Sequence, residues 1–334
     1  MRLGIPEFRL PRDILDREIE NIKKVGVNIK VNSAVGSLDD LFKQGYAAIF
    51  TGIGAYRSRD MGIEGEDNAS VINGIDFLRD VNLGVKMSLG NKVLVVGGGN
   101  AAIDSARTAL RLGVKEVAIA YRRTYAAMPA SPEEVMEAIE EGVKLDFLVT
   151  PAKVTRLNGR LKVEFVRMEL GNIDDSGRRH PVPIKGSEFT GEYDTIIKNI
   201  GDRPEVPGGY DLSLGKGGEI KVEPETLATS KKGVYAGGDV VSGPASVIEA
   251  IAAGRQAAIS IDRYLGGKGD IEEKLAPPEV ITPFTLEEGE RRRPPMCMLS
   301  PDKRKGFALV ELGYDQENAT EEAKRCLRCD LEEH

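Results

Sequence analysis

One stretch constrains this chain more than any other. Val93 to Val96, a short aliphatic run, breaks into Gly97-Gly98-Gly99 and continues as Asn100-Ala101-Ala102-Ile103-Asp104-Ser105-Ala106. The run suits a buried parallel strand, and Ala101 to Leu112 reads as the helix after it. In such a unit Gly97 permits the tight turn, and Gly99 lets the backbone approach a pyrophosphate. Ala102 takes the small position where helix packs on strand. Gly98, Asn100 and Ala101 complete the loop. The unpaired N–H groups and dipole of that helix N-terminus then face the phosphates. Lys115 to Tyr121 reads as the second strand. Where an NAD site places an acid for the ribose 2′-hydroxyl, this chain has Arg122 and Arg123. Two guanidinium groups there suit a 2′-phosphate, so the expected nucleotide is NADP(H).

Composition narrows the rest. A chain of 334 residues is long enough for two domains. Its formal net charge of −7 and 5 % aromatic content argue against nucleic acid as the main partner. No apolar run approaches the roughly 18 residues of a spanning helix, and Met1 to Pro6 lacks the apolar core of a signal peptide. Three cysteines do not make a disulfide scaffold, so a cytoplasmic location is the default.

Pro11 to Lys24 reads as an amphipathic helix capped by Gly26, and Val27 to Val31 as a strand. A short helix opens at Ser37, and Tyr46 to Thr51 reads as a buried strand ending in Gly52. Ser131-Pro132-Glu133-Glu134 starts a helix that Gly142 ends, and Val143 to Val149 returns as a strand. Asn158-Gly159 signals a hairpin. Further strands read at Thr195 to Gly201 and Gly233 to Asp239, then a helix from about Ala245 to Tyr264. Alternating strands and helices mean an α/β fold with parallel sheets. Residues 269–334 read as a separate charged, proline-containing tail.

These residues carry a family. Gly4-Ile5-Pro6-Glu7-Phe8-Arg9-Leu10-Pro11, the glycine loop, Tyr121-Arg122-Arg123, Met128-Pro129-Ala130, Pro181-Val182-Pro183-Ile184 and Tyr235-Ala236-Gly237-Gly238-Asp239 occur in order. The chain thereby resembles the small subunit of NADPH-dependent glutamate synthase, a two-dinucleotide-domain pyridine-nucleotide oxidoreductase. The resemblance implies a Rossmann-like NADP-binding domain, residues 87–194, inserted in an FAD-binding domain made of residues 1–86 and 195–268. It also implies that Gly238 and Asp239 belong to the second FAD segment, the aspartate on the ribityl chain. The helix beginning with Ser246 and Val247 would point its N-terminus at the flavin ring. Thr51 and Gly52 match a strand end beside the FAD, or are the small-residue exit of a buried strand. His180 and His334 read as surface residues, and no catalytic side chain is expected. Hydride transfer between nicotinamide and flavin needs orientation rather than an acid or base.

The chain departs from the family at its start. Relatives carry an iron–sulfur region and a first FAD-binding G-x-G-x-x-G upstream, and Met1 falls after both. The FAD domain is expected to be incomplete, its other half on a partner chain, removed by truncation, or lost with the flavin itself; the intact second FAD segment favours the first two. The expected function is an NADPH-dependent flavin oxidoreductase subunit passing electrons to iron–sulfur centres with a partner subunit in a larger complex. The alternatives are a subunit of a transhydrogenase or electron-bifurcating complex, or a non-catalytic NADP(H)-binding module. In the tail, Cys326 and Cys329 lie three residues apart after a helix-prone run. They are expected to ligate a [4Fe–4S] cluster completed by cysteines from elsewhere; zinc and incidental reduced thiols are the alternatives.

Overall fold

The computed structural model describes residues 1–173, 177–271 and 293–325. The chain opens with α1 (Arg12–Lys24), α2 (Leu38–Lys43), β1 (Ile49–Thr51) and β2 (Arg57–Ser58). β3 (Val71–Asn73) leads into α3 (Gly74–Asn82). The strand–turn–helix unit follows as β4 (Lys92–Val96), α4 (Asn100–Arg111), β5 (Glu116–Tyr121), α5 (Pro132–Glu140) and β6 (Lys144–Phe147). An antiparallel arm comes next: β7 (Val149–Leu157), β8 (Arg160–Ile173), β9 (Arg179–Pro183) and β10 (Phe189–Tyr193). Then come β11 (Thr195–Lys198), β12 (Asp202–Arg203), β13 (Val234–Ala236), α6 (Asp239–Ser242) and α7 (Val247–Tyr264). Beyond residue 292 lie β14 (Cys297–Met298), β15 (Glu311–Gly313) and α8 (Gln316–Ala323).

The central sheet is parallel, in the order β3-β11-β4-β5-β6. Strand side chains alternate between faces, and β4 buries both. Val93 and Val95 enter the core with Ala102, Ile103, Ala106 and Ala109 of α4. Leu94 and Val96 enter a second core with Leu161, Val163 and Phe165 of the arm. A parallel strand covered on both faces must be apolar throughout, which is why Val93–Val96 carries no alternation. The sheet reaches past residues 87 and 194 by one strand from each flank, because β11 pairs with β4 and β3 pairs with β11. The expected strand from Val143 to Val149 divides at Leu148, whose φ of +55° turns the chain from β6 into the arm. Asn158 and Gly159, at φ +51° and +83°, make the two-residue turn between β7 and β8.

A smaller parallel pair, β1 with β13, sits on a third core of Leu38, Ile49, Tyr210 and Val234. The chain crosses between the two units twice, at β2 and β12, and these pair antiparallel. Ser58 Oγ donates to Asp202 Oδ1 across that ribbon at 2.9 Å. Here the strand expected at Val27 to Val31 does not form. The segment has no regular structure and joins no ladder among the described residues, and Val27, Ile29 and Val31 are exposed. Its β-prone side chains have no neighbouring strand to hydrogen-bond with.

The tail is not separate. Residues between Arg293 and Tyr314 lie against α4 and α5, held in part by buried charge. Arg107 is 1 % exposed and reaches Glu137 at 2.7 Å and Glu141 at 2.8 Å. Arg111 reaches Glu141 at 2.6 Å and donates to the Gly306 carbonyl at 3.0 Å. Arg304, from the tail, pairs with Glu140 at 3.0 Å. Burial alone would raise the Glu141 carboxyl, but hydrogen bonds from Arg111 and Arg107 overcome it and hold Glu141 below its ordinary value. Removing one partner of a buried pair strands the other charge. Glu141→Gln is therefore expected to destabilise the protein by about 3–5 kcal/mol. Glu133→Gln, at an exposed position in the first turn of α5, should have a much smaller effect. Paired urea melts check the contrast.

Candidate functional site

The glycine loop is built mainly from backbone. Gly97 has φ +143°, and a Cβ there would lie 2.1 Å from the Asn199 carbonyl oxygen, so the turn admits only glycine. At Gly98 a Cβ would meet the Tyr121 ring at 2.5 Å. Gly99 is different: it is extended, with φ −92°, and an added Cβ would meet nothing within 4 Å. The first two glycines serve the protein's own packing, whereas Gly99 faces open space. Gly99 caps α4 with no side-chain hydrogen bond, and no acid occupies the first helical turn. Backbone N–H groups and the positive end of the helix dipole are thus presented outward. The loop is braced from beside: the Ala130 amide donates to the Gly98 carbonyl at 3.2 Å, and the Ser131 amide to Asn100 Oδ1 at 3.1 Å. Ala101 is half-buried, and Ala102 is fully buried at the contact between helix and sheet.

At the end of β5 the two arginines part company. Arg122 is exposed, but Arg123 is 4 % exposed and its Nε donates to the Arg179 carbonyl of β9 at 3.0 Å. The two guanidinium groups therefore sit in different surroundings.

A second cluster gathers at the carboxyl ends of β1 and β13. Thr51 pairs in register with Ala236, is 3 % exposed, and its Oγ1 is buried with no hydrogen-bond partner. Gly52 follows it directly, and the Gly237 amide donates to the Thr51 carbonyl at 3.3 Å. Gly238, at φ +72°, turns the chain into α6, and Asp239 Oδ1 accepts from the Ala245 amide at 3.2 Å. Ser246 begins α7 with a capping box: its Oγ accepts from the Glu249 amide and the Glu249 side chain accepts from the Ser246 amide. Val247 and, beyond it, Ile248 and Ile251 are exposed. Thr51, Gly52, Gly238, Asp239, Ser246 and Val247 thus line one end of one small sheet, though they are far apart in sequence.

Cys326 and Cys329 lie outside the described residues. Among the described residues no group of three His, Cys, Asp or Glu side chains could hold a metal ion. Cys297 is an exposed thiol and His180 is exposed on β9. Sequence reasoning missed Phe8, Arg9 and Arg304, which come from outside the nucleotide unit. A partial signal existed in the i, i+4 pairs Arg107/Arg111 and Glu137/Glu141, whose charge matches across two helices.

The chain matches the pyridine nucleotide-disulphide oxidoreductase family over residues 9–254, and it belongs to that family of oxidoreductases. It is 44 % identical over 347 residues to the NADP(+)-dependent formate dehydrogenase subunit beta of Moorella thermoacetica, covering 98 % of this chain and 49 % of that subunit. It is 38 % identical over 291 residues to the glutamate synthase [NADPH] small chain of Escherichia coli, covering 79 % of this chain and 61 % of that protein. FprA of Mycobacterium tuberculosis, solved in complex with NADPH, superposes with a TM-score of 0.66 at 18 % identity, covering 79 % of this chain and 74 % of FprA; this likeness concerns the fold. The chain spans about half the length of the first curated relatives it matches. No helix among the described residues is long and apolar enough to cross a membrane.

One acid on α4 tunes this unit. Asp104 accepts from Arg9 at 2.8 Å, while its Oδ1 is buried with no hydrogen-bond partner. Burial, opposed by Arg9 and Arg107 and reinforced by Glu134, pushes its carboxyl up to about 6 from 3.8. A carboxyl raised in the folded state penalises folding above that value, and the penalty is relieved as pH falls through 6. Asp104→Asn is expected to exceed the parent in stability by at most about 3 kcal/mol at pH 8. The advantage should shrink as pH falls from 7 to 5. Urea melts at several pH values check the trend.

Proposed function

We propose that this chain is the NADP(H)-handling part of a flavin- and iron–sulfur-dependent oxidoreductase. The observation that carries the reading is the open space at Gly99, on a braced loop at the N-terminus of α4. In this reading the pyrophosphate rests on Gly97 to Ala102 and the 2′-phosphate is read at the end of β5. The relatives whose names specify NADP(+) or NADPH support the nucleotide. The nucleotide unit lies between the β2–β12 crossings, about residues 59–201, and the flavin pieces flank it as residues 1–58 and 202–268. Thr51, Gly52, Gly238, Asp239, Ser246 and Val247 are the flavin contacts this chain supplies; the orphaned Thr51 Oγ1 and the left-handed turn at Gly238 fit such a group. A bound flavin would accept two electrons from a nicotinamide and release them singly to an iron–sulfur centre, for which Cys326 and Cys329 are proposed ligands. The chain's own residues bind and orient. Relatives named as beta subunits support a partner subunit that completes the assembly.

Three outcomes test this. Gly99→Ala should keep the fold with only a modest capping loss, because the position is extended and open, yet weaken NADPH and NADH alike by about 1–3 kcal/mol as the methyl meets the ligand. Arg122→Glu with Arg123→Ala should weaken NADPH by about 2–4 kcal/mol and leave NADH little changed. Fluorescence titration of both nucleotides separates the two effects, and equal losses in the arginine variant would refute 2′-phosphate reading there. The chain alone should hold FAD weakly, and visible absorbance after desalting decides that; stoichiometric FAD on a well-behaved monomer would contradict it.

A further inference from the structure

The glycine turn is closed from outside its own strand–turn–helix unit. We infer that Asn199, just past the end of β11, is a positioning residue for the nucleotide loop. Its carboxamide, seated on Gly74 and bonded to Ser105, fixes α4 relative to the turn at Gly97. This deepens the NADP(H) reading above and rests on it.

Backbone bonds hold Asn199 from both sides. Lys198 pairs in register with Val96, and the Asn199 amide then donates to the Val96 carbonyl at 2.7 Å. Two residues further on, the Gly201 carbonyl accepts from the Arg59 amide at 3.0 Å. The Asn199 carbonyl oxygen is also the atom that a Cβ on Gly97 would strike first. On the far side of the turn, the Gly97 amide donates to the Ala120 carbonyl of β5 at 3.1 Å. The turn is thus gripped between β5 and the residue that follows β11.

The side chain reaches two helices. Asn199 Nδ2 donates to Ser105 Oγ at 3.2 Å, and Ser105, on α4, is fully buried. Against the same carboxamide lies Gly74, the first residue of α3 and itself buried. A Cβ at Gly74 would come 1.8 Å from Asn199 Oδ1 and 2.3 Å from its Cγ. Any side chain there must therefore expel the carboxamide from its seat. Glycine is a poorer helix former than alanine; at the head of α3 it makes room for Asn199. One residue thus touches α3 and α4 through its side chain and the turn between β4 and α4 through its backbone. A loop that binds through backbone N–H groups has no side chain of its own to readjust, so its geometry is set by supports of this kind.

The experiment titrates the full chain and its variants with NADPH and NADH, and follows amide exchange at Gly98 to Asn100 without nucleotide. Asn199→Ala should weaken both nucleotides about tenfold and speed exchange in the loop, since the pyrophosphate they share rests there. Ser105→Ala, which removes only the buried partner, should act in the same direction on both readouts. Gly74→Ala should also weaken both nucleotides, although alanine is the better helix former. In the Asn199→Ala background it should add little, because the methyl then has room. Val154→Ala, in the core of the arm, controls for stability: it should lower the urea midpoint and keep parental affinity. Parental affinity and exchange in both Ser105→Ala and Gly74→Ala, beside a loss in Asn199→Ala, would make Asn199 a direct ligand contact and overturn the positioning role. An affinity loss in Val154→Ala matching that of Asn199→Ala would overturn it too, by reducing the effect to general destabilisation. A parent chain that binds neither nucleotide would instead remove the reading on which the inference rests, whatever the exchange data show.

Discussion

The Glu141 carboxylate, shared between Arg107 and Arg111, holds the nucleotide unit together. Such a group in the interior is tolerable only when each oxygen and each guanidinium has a partner, and here four segments supply them. α4 gives the two arginines and α5 gives Glu137 and Glu141. The tail gives Arg304 and the Gly306 carbonyl, and the N-terminal segment gives the ring of Phe8. The Arg111 guanidinium sits 3.8 Å from the Phe8 ring centroid, and the Phe8 carbonyl accepts from the Val310 amide at 3.0 Å. A cation over a ring face that is also closed off from water gains more than one left in solvent.

This network also fixes the glycine loop. α4 is anchored at its C-terminal half by Arg107 and Arg111, in its middle by the Arg9–Asp104 pair, and at its N-terminus by Asn100 and the packed Ala102. A helix fixed at three levels cannot slide along its axis without breaking buried bonds, so the N–H groups at its start keep a set position. Ligand-binding constellations need this kind of support from outside the contacting residues. The cost falls on Asp104, whose Oδ1 carries an unmet hydrogen bond because Arg9 is divided between it and Glu134.

The parts legible in the sequence were those whose physics is local. The unbroken apolar run of β4, the glycines of the turn and the Asn158-Gly159 hairpin each declare themselves within a few residues. The second unit became legible only through its motifs, since Thr51 and Asp239 come together by pairing over about 185 residues. What could not be read was pairing between distant segments. The periodicity of Val27 to Val31 is genuine, but a strand also needs a neighbour. Likewise, nothing local distinguishes Arg123 from Arg122; the difference comes from a carbonyl 56 residues away. Arg304 was read as tail charge because its carboxylates lie on α5, more than 160 residues upstream.

The two units differ in how far their apolar faces are closed. Around β4 and β5 both faces are covered, whereas around β1 and β13 the covering stops short. Val25 is 81 % exposed, Val31 76 % and Ile248 70 %, with Ile22 and Ile251 also open. Burying such a side chain fully is worth roughly 1.5–3 kcal/mol, so five already partly buried contribute on the order of 5–10 kcal/mol. Association of a separate chain costs an estimated 4–15 kcal/mol before any contact is counted. Apolar covering alone therefore yields a weak complex. A durable one needs either a tether, which raises effective concentration, or polar anchors that these side chains do not provide. A ligand shared between this face and a partner would be such an anchor. On this argument, association at this face and occupancy of a site shared with the partner would be one coupled equilibrium, each stabilising the other by mass action.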